Sequence, residues 1–197
     1  MAHRVSIDRI EPGRHDGDVL VIRLADAQDL PALQRIERLA GAPFRSLGMD
    51  KVADDEPLPV EVLATFQLAG RAWVAEDDGE LVGYILAEIV DRSAHIEQVS
   101  VDPGFAGRRI GRQLICTVET WARERNMRSM TLTTYEQVPW NAPYYSRLGF
   151  VVLLEEHQLP QLRAIRRDEA DRGLDAWPRI AMHLMLPQPY ERANAVL

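Results

Sequence analysis

The chain of 197 residues carries one cysteine, Cys116. A lone thiol closes no internal disulfide and supports no multi-cysteine metal cluster, so no metal is expected and a reducing, cytoplasmic setting is the default. Long apolar runs are absent too: no stretch approaches the ~20 residues that a membrane-spanning helix needs. The first residues are interrupted by His3, Arg4 and Asp8 and lack the apolar core of a secretory signal, so no membrane partner is expected. Nor is there a basic excess. With 23 Lys+Arg against 30 Asp+Glu the formal net charge is -7, the wrong sign for a protein that grips nucleic acid by its phosphates. Small cations and amines stay open as ligands. Apolar residues at 46% and charged ones at 27% exclude a disordered or collagen-like chain.

The length suits one substantial domain. Residues 1–18, with Pro12, Gly13 and Gly17 among charges, read as a flexible lead-in, residues 19–190 as a single domain and 191–197 as a tail. A strand is expected over 19–24. A helix follows in which Leu30, Leu33, Ile36 and Leu39 recur at helical spacing until Gly41. Between 41 and 59 the pattern dissolves into a long connection, a kind of segment that is often functional. Residues 59–68 read as a helix with Val60, Val62, Leu63 and Phe66 available for burial. Strands over 71–76 and 80–90 flank Asp77-Asp78-Gly79, a hairpin signal. A strand over 94–101 runs into a glycine-rich turn and then a helix that lines up Ile110, Leu114, Val118 and Trp121. Strands over 127–134, 150–154 and 179–186 and helices over 140–147 and 160–172 complete an α/β pattern with a mixed central sheet of about six to seven strands flanked by helices.

The turn carries the strongest signal. Gly104, Gly107 and Gly111 allow close backbone approach to a ligand, and the unpaired amides at a helix start form an anion site that suits a diphosphate. It is neither of two better-known phosphate motifs, for it lacks the Gly-Lys-Ser/Thr of a Walker loop and the Gly-x-Gly-x-x-Gly spacing of a dinucleotide fingerprint. Between residues 104 and 128 there are six arginines (108, 109, 112, 123, 125 and 128) against Glu119 and Glu124, so this window is cationic in an acidic protein. The alternative is a solvated helix face beside a tight turn.

Residues 99–114 (VSVDPGFAGRRIGRQL) together with 141–150 (NAPYYSRLGF) resemble the acyl-CoA-binding turn and the tyrosine-bearing helix of the GNAT-type N-acetyltransferase superfamily. The resemblance covers about residues 19–156 and the strand at 179–186. It implies the GNAT fold, acetyl-CoA as acyl donor, and transfer of the acetyl group to a primary amine of a small molecule or protein by direct attack, in a monomer or homodimer. The family turn, Gln/Arg-x-x-Gly-x-Gly/Ala, maps to Ala106, Gly107, Arg108, Arg109, Ile110 and Gly111, with Arg112 next. Two positions depart: Ala106 stands for Gln/Arg and Arg109 for the middle glycine. Arg109 fits if the helix has already begun there with a non-positive φ. The strand segment that pairs with the pantetheine arm maps to Val99, Ser100 and Val101.

Acetyl transfer from a thioester needs a neutral amine, a stabilised oxyanion and a proton for the departing thiolate. Tyr145, in Tyr-x-x-x-Gly-Phe, occupies the position of the family's general acid. Tyr144 reads as packing or a cofactor contact. Asn141 reads as a helix N-cap, and the resemblance suggests a hydrogen bond to the CoA arm. Trp140 and Phe150 read as core. For a base, Glu97 is either a solvated edge charge or a site carboxylate. His95, two residues earlier, shares its face and has an ordinary pKa near neutrality. The acceptor pocket is expected at residues 41–59 and at an insert of about 157–178. An idle acyl-CoA-binding or regulatory module is the alternative, and a nucleotide-binding protein is disfavoured by the motif spacing.

Overall fold

A computed structural model describes residues 20–187; the expected lead-in at 1–18 and tail at 191–197 lie outside the described residues. Seven strands form one sheet in the order β1-β2-β3-β4-β5-β7-β6. β1 (Val21–Leu24), β2 (Ala72–Asp77), β3 (Glu80–Val90) and β4 (Ser93–Val101) run antiparallel in succession. β2 and β3 turn at Asp78 and Gly79, with φ of 49° and 79°, the left-handed pair that a two-residue hairpin requires. β4 pairs in parallel with β5 (Ser129–Tyr135), so a crossover must join them, and α4 (Ile110–Glu124) supplies it. β7 (Arg179–Met185) then pairs antiparallel with β5 and with the short β6 (Val151–Val152).

Both faces of the sheet are covered. On one, α4 buries Ile110, Leu114, Val118 and Trp121 against Trp73, Ile85, Met130 and Met182. On the other, α1 (Leu30–Gly41) and α3 (Val60–Leu68) bury Leu33, Ile36, Leu63 and Phe66 against Val74, Tyr84 and Leu86. Burial on two sides explains why β3 reads as an almost unbroken apolar run. Val60 and Val62 depart from expectation and stay largely exposed, because they flank the narrow stripe that Leu63 and Phe66 present. The 41–59 connection is not patternless: it forms a 3-10 turn over Ala42–Leu47 and a single turn α2 (Asp50–Ala53), with Met49 buried between them. α5 (Ala142–Arg147) starts two residues later than expected, which leaves Trp140 exposed rather than in the core, whereas Phe150 is buried. The expected insert contains α6 (Pro160–Asp171), stopped by Gly173 at φ 76°. Its N-terminus is held by Asp91, whose carboxylate accepts from the Gln161 and Leu162 amides at 3.2 and 2.9 Å.

Gly83 lies where β3, β4 and the start of α4 meet. A Cβ there would stand 3.1 Å from the Ser100 carbonyl oxygen and 3.2 Å from the Ile110 side chain, so any larger residue would push these elements slightly apart.

Candidate functional site

β4 and β5 pair only from Ala94↔Met130 to Ile96↔Leu132. Beyond that, β4 continues beside β3 alone and β5 beside β7 alone. The divergence follows a bulge. Leu86 faces Gln98 while Ala87 faces Ile96, so Glu97 is the extra residue, and a bulge of this kind bends its strand. The result is a gap in the middle of the sheet, walled by Gln98, Val99, Ser100 and Val101 on one side and by Thr133, Thr134 and Tyr135 on the other.

The glycine-rich turn closes the β4 end of this gap. Asp102 starts it, donating its amide to the Val82 carbonyl at 2.8 Å and accepting from the Gly104 amide at 2.8 Å. Gly107 then has φ 82° and Arg109 φ 61°. The helix begins at Ile110, not at Arg109. The condition set for Arg109, a helix already begun there with a non-positive φ, is therefore not met: the chain reverses sharply between Ala106 and Ile110, and Arg109 takes the left-handed conformation at a cost of about 1–2 kcal/mol. The first i→i−4 bond of α4 runs from the Gln113 amide to the Arg109 carbonyl at 3.2 Å, so the Ile110, Gly111 and Arg112 amides have no acceptor within the helix. Left-handed residues just before such a terminus make a concave set of N–H groups suited to phosphate oxygens.

The arginines around the turn divide. The Arg108 guanidinium is bidentate to Asp77 at 2.5 and 2.8 Å, which commits that side chain to the hairpin. Arg123 pairs with Glu119, and Arg125 stacks over Trp121. Arg109 and Arg112 are exposed and form no ion pair among the described residues, so the cationic field at the turn comes from them.

α5 lies against the same end of the gap. The Tyr144 hydroxyl sits over Gly111, 3.2 Å from where a Cβ would stand. Tyr145 packs edge-on to Phe150 and Tyr144, at centroid distances of 5.9 and 5.6 Å. Burial pushes its phenol far above the ordinary tyrosine value, so it stays protonated. Asn141 precedes the helix without capping it through its side chain; its Nδ2 donates instead to Thr134 Oγ1 at 2.8 Å, on the β5 wall.

Behind the bulge, His95 Nδ1 lies 2.9 Å from Thr131 Oγ1 and His95 Nε2 lies 4.0 Å from Glu97 Oε2, so the two residues share a face as expected. Burial lowers the His95 pKa to about 4, which leaves the imidazole neutral near pH 7. Glu97 is itself exposed, with 38% of its side chain open to solvent, but the protein packed around its carboxyl disfavours the charge and raises its pKa, and the negative charges of Glu169 and Glu88 add to the effect.

Sequence reasoning missed Glu169, on α6. Its carboxylate is nearly buried and accepts from Arg179 Nη2 at 2.6 Å, from Arg166 and from the Thr133 hydroxyl. Arg179 also lies over the Tyr135 ring at 4.5 Å. The i,i+3 spacing of Arg166 and Glu169 is the only part of this cluster written locally in the sequence. In the 41–59 connection, the acidic residues are partly neutralised: Asp54 pairs with Arg45, Asp55 with Arg172 at 3.5 Å and Glu56 with Arg38 at 3.6 Å. Phe44 there packs edge-on to both Tyr135 and Trp140. Among the described residues no group of three His, Cys, Asp or Glu could hold a metal ion, and no helix is long and apolar enough to cross a membrane.

A family model described as the acetyltransferase (GNAT) family matches residues 33–150, more than half of the chain. Solved structures share the fold at low identity. The ribosomal-protein-S18-alanine N-acetyltransferase of Escherichia coli is 17% identical with a TM-score of 0.60, over 86% of this chain and 96% of that one. The PaiA N-acetyltransferase of Thermoplasma acidophilum, solved in complex with coenzyme A, is 16% identical with a TM-score of 0.60, over 85% and 99%. The N-acetylglutamate synthase of Neisseria gonorrhoeae, solved with coenzyme A and N-acetyl-glutamate, is 19% identical with a TM-score of 0.65, over 88% of this chain and 36% of that one.

Proposed function

Since the chain belongs to the GNAT acetyltransferase family and is an acyltransferase, we propose that it transfers the acetyl group of acetyl-CoA to a primary amine of a small molecule or protein by direct attack. The observation that carries this reading is the gap between β4 and β5, closed at one end by the turn and α5. A thioester on an extended amide-bearing arm supplies the acetyl group. Val99, Ser100 and Val101 offer backbone groups to that arm, as an edge strand does. The Gly107, Ile110, Gly111 and Arg112 amides hold the diphosphate, with Arg109 and Arg112 adding charge. Asn141 keeps its Oδ1 as an acceptor for an arm amide, because Nδ2 is taken by Thr134.

Glu97, its carboxyl raised by the protein and the negative charges around it, takes the proton that the amine must lose, directly or through water, with neutral His95 beside it. As the amine nitrogen bonds to the acetyl carbon and the carbon–sulfur bond breaks, Tyr145 gives its phenolic proton to the departing thiolate. The sign of the pH dependence follows. A base must be ionised, so kcat/KM rises with pH through the Glu97 titration, centred above the ordinary carboxyl value, and Glu97→Gln loses that acid limb. An unaltered pH profile in Glu97→Gln removes Glu97 from the role.

Calorimetry with acetyl-CoA and a thiol-release assay over polyamines, amino acids, aminoglycosides and N-terminal peptides test the whole reading. Expected are acetyl-CoA binding and acceptor-dependent release of CoA. Equal affinity for ATP or NAD would sink it, and binding without release on any acceptor would favour the idle acyl-CoA-binding module.

A further inference from the structure

We infer that Asp77, on the β2–β3 hairpin, is the positioning residue that holds the diphosphate turn in its binding conformation, acting through Arg108. This rests on the turn being the acetyl-CoA site. Two left-handed residues lie within three positions, Gly107 and Arg109, and only the first is a glycine. Such backbone persists where its surroundings over-determine it.

The tethers of the turn are unevenly placed. Its opening is fixed by backbone: Asp102 to Val82, Gly104 to the Asp102 carboxylate, Phe105 to Asp102 and Ala106 to Pro103. Its end is fixed where α4 begins. Between Ala106 and Ile110 the anchor is the Arg108 side chain, which reaches across to Asp77 with two hydrogen bonds at 2.5 and 2.8 Å and lies 5.6 Å over the Phe105 ring. Asp77 is 6% exposed and ends β2, paired with Glu80 across the hairpin. A bidentate guanidinium–carboxylate pair fixes direction as well as distance. By pinning Arg108 between Gly107 and Arg109, it fixes the backbone that aims the neighbouring amides at one point.

A merely structural ion pair would respond differently from a positioning one, and Arg109 separates the two. Asp77→Asn keeps the shape but loses the charge-assisted pair, so the Kd for CoA measured by calorimetry is expected to rise about tenfold, the equivalent of ~1.4 kcal/mol. The rate at saturating acetyl-CoA should hold. Arg109→Gly adopts the left-handed conformation without help. Arg109→Gly also removes one of the charges at the turn, so its own Kd is the reference: adding Asp77→Asn to Arg109→Gly should raise the Kd by much less than the tenfold it adds in the wild type, although the Asp77–Arg108 pair is broken in both backgrounds. Arg108→Met, which removes the other partner, should match Asp77→Asn, and its effect should shrink likewise in the Arg109→Gly background. Thermal unfolding of each variant checks that the fold is kept. Wild-type affinity in Asp77→Asn, or an Asp77→Asn loss that is undiminished in the Arg109→Gly background, overturns the inference while leaving the acetyl-CoA site standing. A wild-type protein that does not bind CoA overturns both.

Discussion

Tyr145→Phe is expected to lower turnover by ~10²-fold or more, the scale of general acid catalysis, while the affinity for acetyl-CoA stays the same. The reason lies in what the ring does and what its hydroxyl does. The ring packs against Phe150 and Tyr144 and lies partly buried against the main core; phenylalanine keeps that packing. Only the proton is removed. Because burial raises the phenol pKa strongly, the wild-type acid should not titrate away on the alkaline side of ordinary assay ranges. A pre-steady-state measurement that finds acetyl transfer as fast in Tyr145→Phe as in the wild type takes away the acid role. A parallel rise in the acetyl-CoA Kd would instead make the hydroxyl a binding group.

Glu169→Ala should be the most damaging single truncation outside the turn. Removing one partner of a buried pair leaves charge uncompensated and costs ~3–5 kcal/mol. Here Arg179 and Arg166 would both lose Glu169, and their side chains are only 11% and 17% exposed. Urea unfolding should show that loss of stability, and the thermal midpoint should fall by ~6–20 °C, given 2–4 °C per kcal/mol for a chain of this size. The pair itself is not a large net stabiliser, since well-packed apolar replacements of buried ion pairs are often neutral. Replacing Glu169, Arg166 and Arg179 together by methionine should accordingly recover much of the stability lost by Glu169→Ala alone. A Glu169→Ala cost below ~1 kcal/mol, the range of exposed pairs, would mean that water reaches the cluster freely.

Features encoded by near neighbours were legible in the sequence. The Asp78-Gly79 hairpin, the stripe of Ile110, Leu114, Val118 and Trp121, and the stop at Gly173 each depend on a few consecutive residues and stand where expected. The turn was legible for the same reason. What stayed hidden depends on partners distant in the chain. Asp77 looks like a hairpin residue until Arg108, 31 residues on, is seen to grip it. Glu169 looks like one more charge on a polar helix until Thr133 and Arg179 close over it. The conformation of Arg109 was not legible because helix propensity does not say where the first turn of a helix starts. Val60 and Val62 were misplaced because a nine-residue helix has too few apolar positions for periodicity to choose its buried side.

The early end of the β4–β5 pairing has one more consequence. A sheet normally exposes its unsatisfied backbone at two outer strands, and proteins blunt those edges to avoid joining to other chains. This sheet has a second pair of edges in its interior, on β4 past Ile96 and on β5 past Leu132. If the proposed acyl-CoA arm lies there, it would take up hydrogen bonds that the two strands leave open and stand in as a removable extra strand. Occupancy should therefore be read as folding as much as binding: within residues 98–101 and 133–135, the amides that point into the gap rather than to β3 or β7 should exchange more slowly with acetyl-CoA bound than without it, while their neighbours on the paired side change little.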